Sequence, residues 1–91
     1  MSVIKLSNYG LNLTGRPLGI QTYQRIKDEF SPPYELDLQG VYSIGSSFAD
    51  EVIAKLAAEN GGVIKIAHSS RVIDRCLDEV AKDFGFVIER T

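Results

Sequence analysis

From Tyr34 to Gln39 the residues alternate. Leu36 and Leu38 fall on one side and Glu35, Asp37 and Gln39 on the other, the period of a strand with one buried face. After Gly45 the period lengthens: Phe48, Ala49, Val52, Ile53 and Leu56 recur at steps of three and four, the buried face of a helix. Asn60-Gly61-Gly62 is a strong stop, so this helix is predicted to end near Glu59. Between the two periods lies Gly45-Ser46-Ser47, and Ser47 with Asp50 three residues on forms a near capping box. The predicted unit is strand, short turn and serine-capped helix.

The remaining chain reads around that unit. Val3–Leu6 is a short strand, Asn8-Tyr9-Gly10 has turn chemistry, and Leu11–Leu13 is predicted to return as the second half of a hairpin. Thr14-Gly15-Arg16-Pro17 opens a helix, with Pro17 near the first helical position. Its apolar stripe runs through Leu18 or Gly19, Ile20, Tyr23, Ile26 and Phe30, and Ser31-Pro32-Pro33 ends it. Val63–Ala67 is a strand, and His68-Ser69-Ser70 leads a second serine-headed helix. That helix has Val72, Ile73, Cys76, Leu77, Val80, Ala81 and Phe84 on one face. Arg75–Glu79 and Asp78–Lys82 are expected as four-apart ion pairs outside, and Gly85 stops it. Phe86–Ile88 is a last strand, whose open edge would allow a homodimer.

This order predicts an α/β fold: a mostly parallel sheet of four to five strands packed against three helices, starting with a short β-hairpin. Residues 1–91 read as a single domain. If Tyr34–Leu38 and Val63–Ala67 are parallel neighbours, Ser43–Ser47 and His68–Ser70 meet at one sheet edge, where open α/β sheets bind ligands.

Composition narrows the function classes. With 44% apolar and 24% charged residues the chain can bury one two-layer core. A net charge of −2 and scattered Lys and Arg argue against nucleic acid as a partner. No apolar run approaches the roughly 18 residues of a membrane span, and no charged-then-apolar leader opens the chain, so a cytoplasmic protein without a membrane partner is expected. One cysteine and one histidine offer no metal-ligand spacing, and no cofactor is expected. Cys76 lies on an inward stripe and reads as core.

Several polar residues carry candidate chemistry. Ser46 and Ser47 at a helix start either cap it or dock an anion, and Asp50 and Glu51 in the first turns weigh towards capping. A paired anion site would combine Ser46 and Ser47 with His68, Ser69, Ser70 and Arg71, but neither start has a glycine-rich cradle with a lysine. Asp37, between two leucines, needs a partner, either Arg16 or a backbone amide, and Arg16 before a helix needs a specific contact of its own. Both read as structural polar residues. His68 with a serine does not make a catalytic set, since no Gly-x-Ser-x-Gly elbow is present. The chain is therefore read as non-enzymatic.

Leu-Asp-Leu-Gln-Gly-Val from Leu36 and Ile-Gly-Ser-Ser-Phe-Ala-Asp-Glu from Ile44, with Tyr9-Gly10, Leu13 and Gly15-Arg16 upstream, resemble the STAS-like family of small bacterial and phage-borne proteins. That family is named for its likeness to the STAS domain of sulfate transporters and anti-sigma factor antagonists. The resemblance implies a STAS-like fold and places Ser46 at the antagonists' phosphoacceptor position. Gly45 and Phe48 stand where the antagonists carry Asp and Gly. It implies a regulatory protein-binding module whose partner, a kinase-like or ATPase-like regulator, docks on Ser43, Gly45, Ser46, Ser47, Phe48, Asp50 and Glu51. An inhibitor from a mobile element acting on a host enzyme is the second reading, and a nucleotide or anion sensor the third.

Overall fold

The computed structural model describes residues 2–91. In chain order these are β1 (Ser2–Lys5), a single 3-10 turn over Leu6–Tyr9, β2 (Asn12–Leu13), α1 (Arg16–Glu29), β3 (Tyr34–Asp37) and β4 (Ser43–Ile44). There follow α2 (Ser46–Glu51), α3 (Ile53–Glu59), β5 (Val63–Ala67), α4 (Arg71–Phe84) and β6 (Val87–Arg90). Four strands form one sheet in the order β1-β3-β5-β6, and each neighbouring pair is parallel. The fold is the expected α/β one, a parallel sheet against three helical units, because α2 and α3 are one helix interrupted at Val52. There φ is −110° and ψ −64°, yet the Val52 N–H still reaches the Phe48 carbonyl at 3.0 Å and Leu56 N–H the Val52 carbonyl at 2.9 Å.

The opening hairpin does not form. β1 pairs with β3 (Ser2↔Tyr34 to Lys5↔Asp37), and β2 pairs in parallel with β4 in a separate two-stranded ribbon. The reason is burial. Beside β3, Ile4 sits next to Leu36 on the helix-covered face, whereas two-residue β2 has almost no ladder to offer β1. The segment between them winds into the 3-10 turn, which buries Leu6.

The helices lie on one side of the sheet. α1 packs on α2, α2 on α4, α3 on β5 and α4 on β6. Ile4, Leu36, Ile64 and Ile66 face them from the sheet, and Phe48, Leu56, Ile73 and Leu77 meet these from above, all essentially without exposure. In α1 the expected Gly19 and Ile26 are buried and Leu18, Tyr23 and Phe30 pack on the core, but Ile20 lies half exposed and Thr22 is buried in its place. The helix is rotated so that Gly19 touches α2. A Cβ there would lie 2.8 Å from Glu51 Cβ, so the approach requires glycine. Among the described residues no helix is long and apolar enough to cross a membrane.

Candidate functional site

β3 and β5 are parallel neighbours, so both chains leave the sheet at the same edge. Leu38 N–H donates to the Ala67 carbonyl at 2.9 Å and extends that edge by one residue. Only Gln39 to Tyr42 then separate the sheet from β4, and α4 packs against both β4 and α2. The turns 45–47 and 68–70 therefore head the two helices that border this rim.

At the β5 end, His68 takes the left-handed conformation (φ 60°), which β-branched and bulky residues avoid but histidine tolerates. Its Nδ1 lies 2.9 Å from Asp37 Oδ1, and the Gln39 N–H donates to that same oxygen at 2.9 Å. The Gln39 amide first, and His68 second, hold the Asp37 carboxyl below the usual range. Asp37 thus closes the β3 exit on a backbone amide and His68, and Arg16 is not its partner.

Ser69 and Ser70 are used locally. The Ser70 hydroxyl accepts from Ile73 N–H at 3.3 Å and is the N-cap of α4. Ser69 donates to Asp74, which also accepts from Arg90 Nε at 3.1 Å. The Ser69 hydroxyl, the largest cause, and Arg90 hold Asp74 below its ordinary value against the opposing effect of burial. With His68, Ser69 and Ser70 engaged and a carboxylate in the first turn, Arg71 alone of that group projects outward unpaired among the described residues. The geometry is that of a closed helix start, not of an anion cradle.

The β4–α2 turn is different. Ser43 Oγ donates to Asn12 Oδ1 at 2.9 Å, tying β4 to β2. The N-cap of α2 is Gly45, so the expected serine cap is absent: Ser46 and Ser47 are the first two helical residues, past the position from which a hydroxyl can reach back. Ser46 is exposed, Ser47 half-buried, and neither hydroxyl has a hydrogen-bond partner among the described residues. Phe48 is fully buried, because it continues the Val52–Leu56 stripe, and so it is a core residue and not a partner contact. Gly45 is half-buried, its position bounded by Thr14, whose side chain a Cβ would meet at 3.4 Å.

Asp50 and Glu51 face α1. Arg16 bonds Glu51 and lies 3.6 Å from Asp50, while Lys55 reaches Glu51 at 2.8 Å. Lys55 foremost, then Arg16, hold Glu51 low, and Glu51 in turn raises Arg16. These carboxylates are already matched within the fold. Cys76 is half-buried, its thiol pushed up by burial and by Glu79 and Asp50. No group of three or more metal-ligating side chains occurs among the described residues.

Sequence reasoning missed Tyr42. It is 72% exposed beside half-exposed Leu11, whose carbonyl accepts the Tyr42 N–H at 2.8 Å. No sequence signal marked it: only in the fold is Val41 seen to be buried, which turns the next side chain of the extended segment outward. Val72, equally exposed, lines a shallow 190 Å³ depression with Arg71 and Arg75 at the start of α4. The expected Arg75–Glu79 and Asp78–Lys82 pairs are not made, as Arg90 takes Asp78 at 2.7 Å.

Among known proteins, a family described as a STAS-like domain of unknown function (DUF4325) matches residues 19–74, from α1 through both turns into α4. No curated protein and no solved structure matches.

Proposed function

The chain belongs to the STAS-like family of domains of unknown function, and from that premise we propose that it is a non-enzymatic regulatory module that works by docking another protein at the Ser43–Asp50 edge. The observation that carries the reading is Ser46: an exposed hydroxyl at the first helical residue, without an internal partner among the described residues, close in sequence to exposed Tyr42. Buried Phe48 narrows the contact set to Tyr42, Ser43, Ser46 and Ser47, with Asp50 and Glu51 held behind them by Arg16. An exposed tyrosine is a good anchor, since it brings a large apolar ring and a polar tip at small entropic cost.

By the likeness to anti-sigma factor antagonists, the partner is a kinase-like or ATPase-like regulator, and phosphorylation of Ser46 releases it. A phosphate adds about −1.5 to −2 charges at pH 7, enough to reverse a contact built around neutral hydroxyls. Asp50 stands one helical turn on, and its pairing with Arg16 offsets part of the repulsion a phosphate would meet.

The test is affinity capture from the source cells with the wild type, Ser46→Ala, Ser46→Asp and Tyr42→Ala, followed by affinity measurement with the captured regulator. Ser46→Asp and Tyr42→Ala are expected to weaken binding about tenfold or more, with Ser46→Ala close to wild type. Equal capture by all four folded proteins would remove this edge from the mechanism.

A further inference from the structure

All helices lie on one side of a sheet whose strands run parallel throughout. Parallel sheets are otherwise found almost only with both faces covered. The opposite face here carries Val3, Val63 and Val87, exposed by 55%, 37% and 58%, among Lys5, Glu35, Lys65 and Glu89. These residues are ordered in rows by the register. Val63 is level with Val87, and one step along, Val3, Glu35, Lys65 and Glu89 stand side by side. Pro33 borders Val63 at the amino end, where both line a shallow 180 Å³ depression. The face is thus an apolar row next to a row of alternating charge, with Glu35 and Lys65 3.7 Å apart at its centre.

We propose that this uncovered face is a dimerisation surface on which a second copy of the chain lays the same face. The charge order selects the symmetry. A two-fold axis parallel to the strands, midway between β3 and β5, sets each β3 over the other copy's β5 and keeps the rows level. Glu35 then lies over Lys65 of the second copy and Lys65 over its Glu35, while Pro33 and Val63 cover one another in the apolar row. An axis across the strands would instead stack Glu35 on Glu35, Lys65 on Lys65 and Glu89 on Glu89, and like charges opposed at an interface are costly. The same axis sets Val3 over Glu89 at the outer strands, so it is the central Glu35–Lys65 pair that complements itself under one two-fold and repels under the other, as an isologous pair requires.

Size sets the strength. The whole molecule measures 27 × 23 × 22 Å, so one face offers at most about 600 Å² in projection, below the roughly 800 Å² per partner of a standard interface. The pair is therefore a weak one, and the balance between one chain and two is set by concentration. It lies on the face of the sheet, away from the rim proposed for the regulatory partner, and does not rest on that proposal.

Sedimentation equilibrium of the full chain tests it. The mass is expected to rise from the 10.0 kDa of one chain towards that of two as concentration increases. Lys65→Glu places carboxylates opposite one another and is expected to raise the dissociation constant at least about tenfold, and Glu35→Lys/Lys65→Glu to return it to within about threefold of wild type. Val63→Asp, which removes apolar surface from the row, is expected to give a monomer. All these positions are on the surface, and circular dichroism checks that each variant is folded. A mass of one chain up to millimolar concentration would overturn the proposal. So would a Lys65→Glu protein that dimerises as the wild type does, or a double swap no better than the single.

Discussion

Gly19 is where α1 and α2 come closest. A methyl group there would meet Glu51 Cβ at 2.8 Å, Phe48 Cα at 3.2 Å and the Phe48 carbonyl at 3.3 Å, so the helices would have to part. Gly19→Ala gains about 1 kcal/mol of helix propensity and incurs about 1–3 kcal/mol of overpacking. A net loss of about 1 kcal/mol is expected in urea unfolding, and an unchanged or raised midpoint would refute the close approach. The two aromatics of the β4–α2 segment show how residue-scale legibility varies. Phe48 keeps the helical period and was readable as core from its spacing to Val52 and Leu56. Tyr42 sits in a loop without a period, where only the burial of Val41 in three dimensions decides which way it points.

At the scale of elements, two serine-led helix starts of similar sequence behave differently. In α4 the serine stands just before the first helical residue and caps it; in α2 both serines stand one step inside, behind Gly45. Ser70→Ala is accordingly expected to destabilise by about 0.5–1 kcal/mol, the lower part of the usual range because the bond is 3.3 Å long. Ser46→Ala is expected to change stability by less than about 0.5 kcal/mol, as an exposed position without a partner should. Urea midpoints of the two variants measure the contrast, and equal losses would show that Ser46 caps after all. The helix ends were legible because their chemistry is local: Gly85 takes φ 75° just past Phe84, as a left-handed stop requires. The start of α2 was not, because two adjacent serines offer two registers for one cap.

For the molecule as a whole, acid should be the sensitive side of the stability curve. Asp37, Glu51, Glu59 and Asp74 all have carboxyls below their ordinary values. For Glu59 burial acts upwards, but the bonds from Lys27 and Tyr23 outweigh it. A carboxylate whose folded pKa is depressed contributes stability that is present above its unfolded pKa, roughly 4, and is lost as pH falls through the folded value. The urea midpoint should be flat from pH 6 down to about 5 and drop steadily below about 4. Asp37→Asn should flatten part of that drop, and a midpoint that rises on acidification would contradict the assignment.

Periodicity along the chain determined most of the elements: β5 and α4 fall on the predicted residues, and the end of α3 on the predicted stop. These features depend on neighbours within a few positions, so the order of side chains contains them. Pairing is another matter. β1 had to choose between a turn nearby and β3, 32 positions along the register, and burying Ile4 beside Leu36 decided it. The same holds for the α1 rotation that seats Gly19 on α2, for the meeting of His68 with Asp37, and for the bare face opposite the helices. Each joins groups far apart in the chain, and only the competition among buried surfaces in the folded molecule selects between the alternatives that local pattern leaves equal.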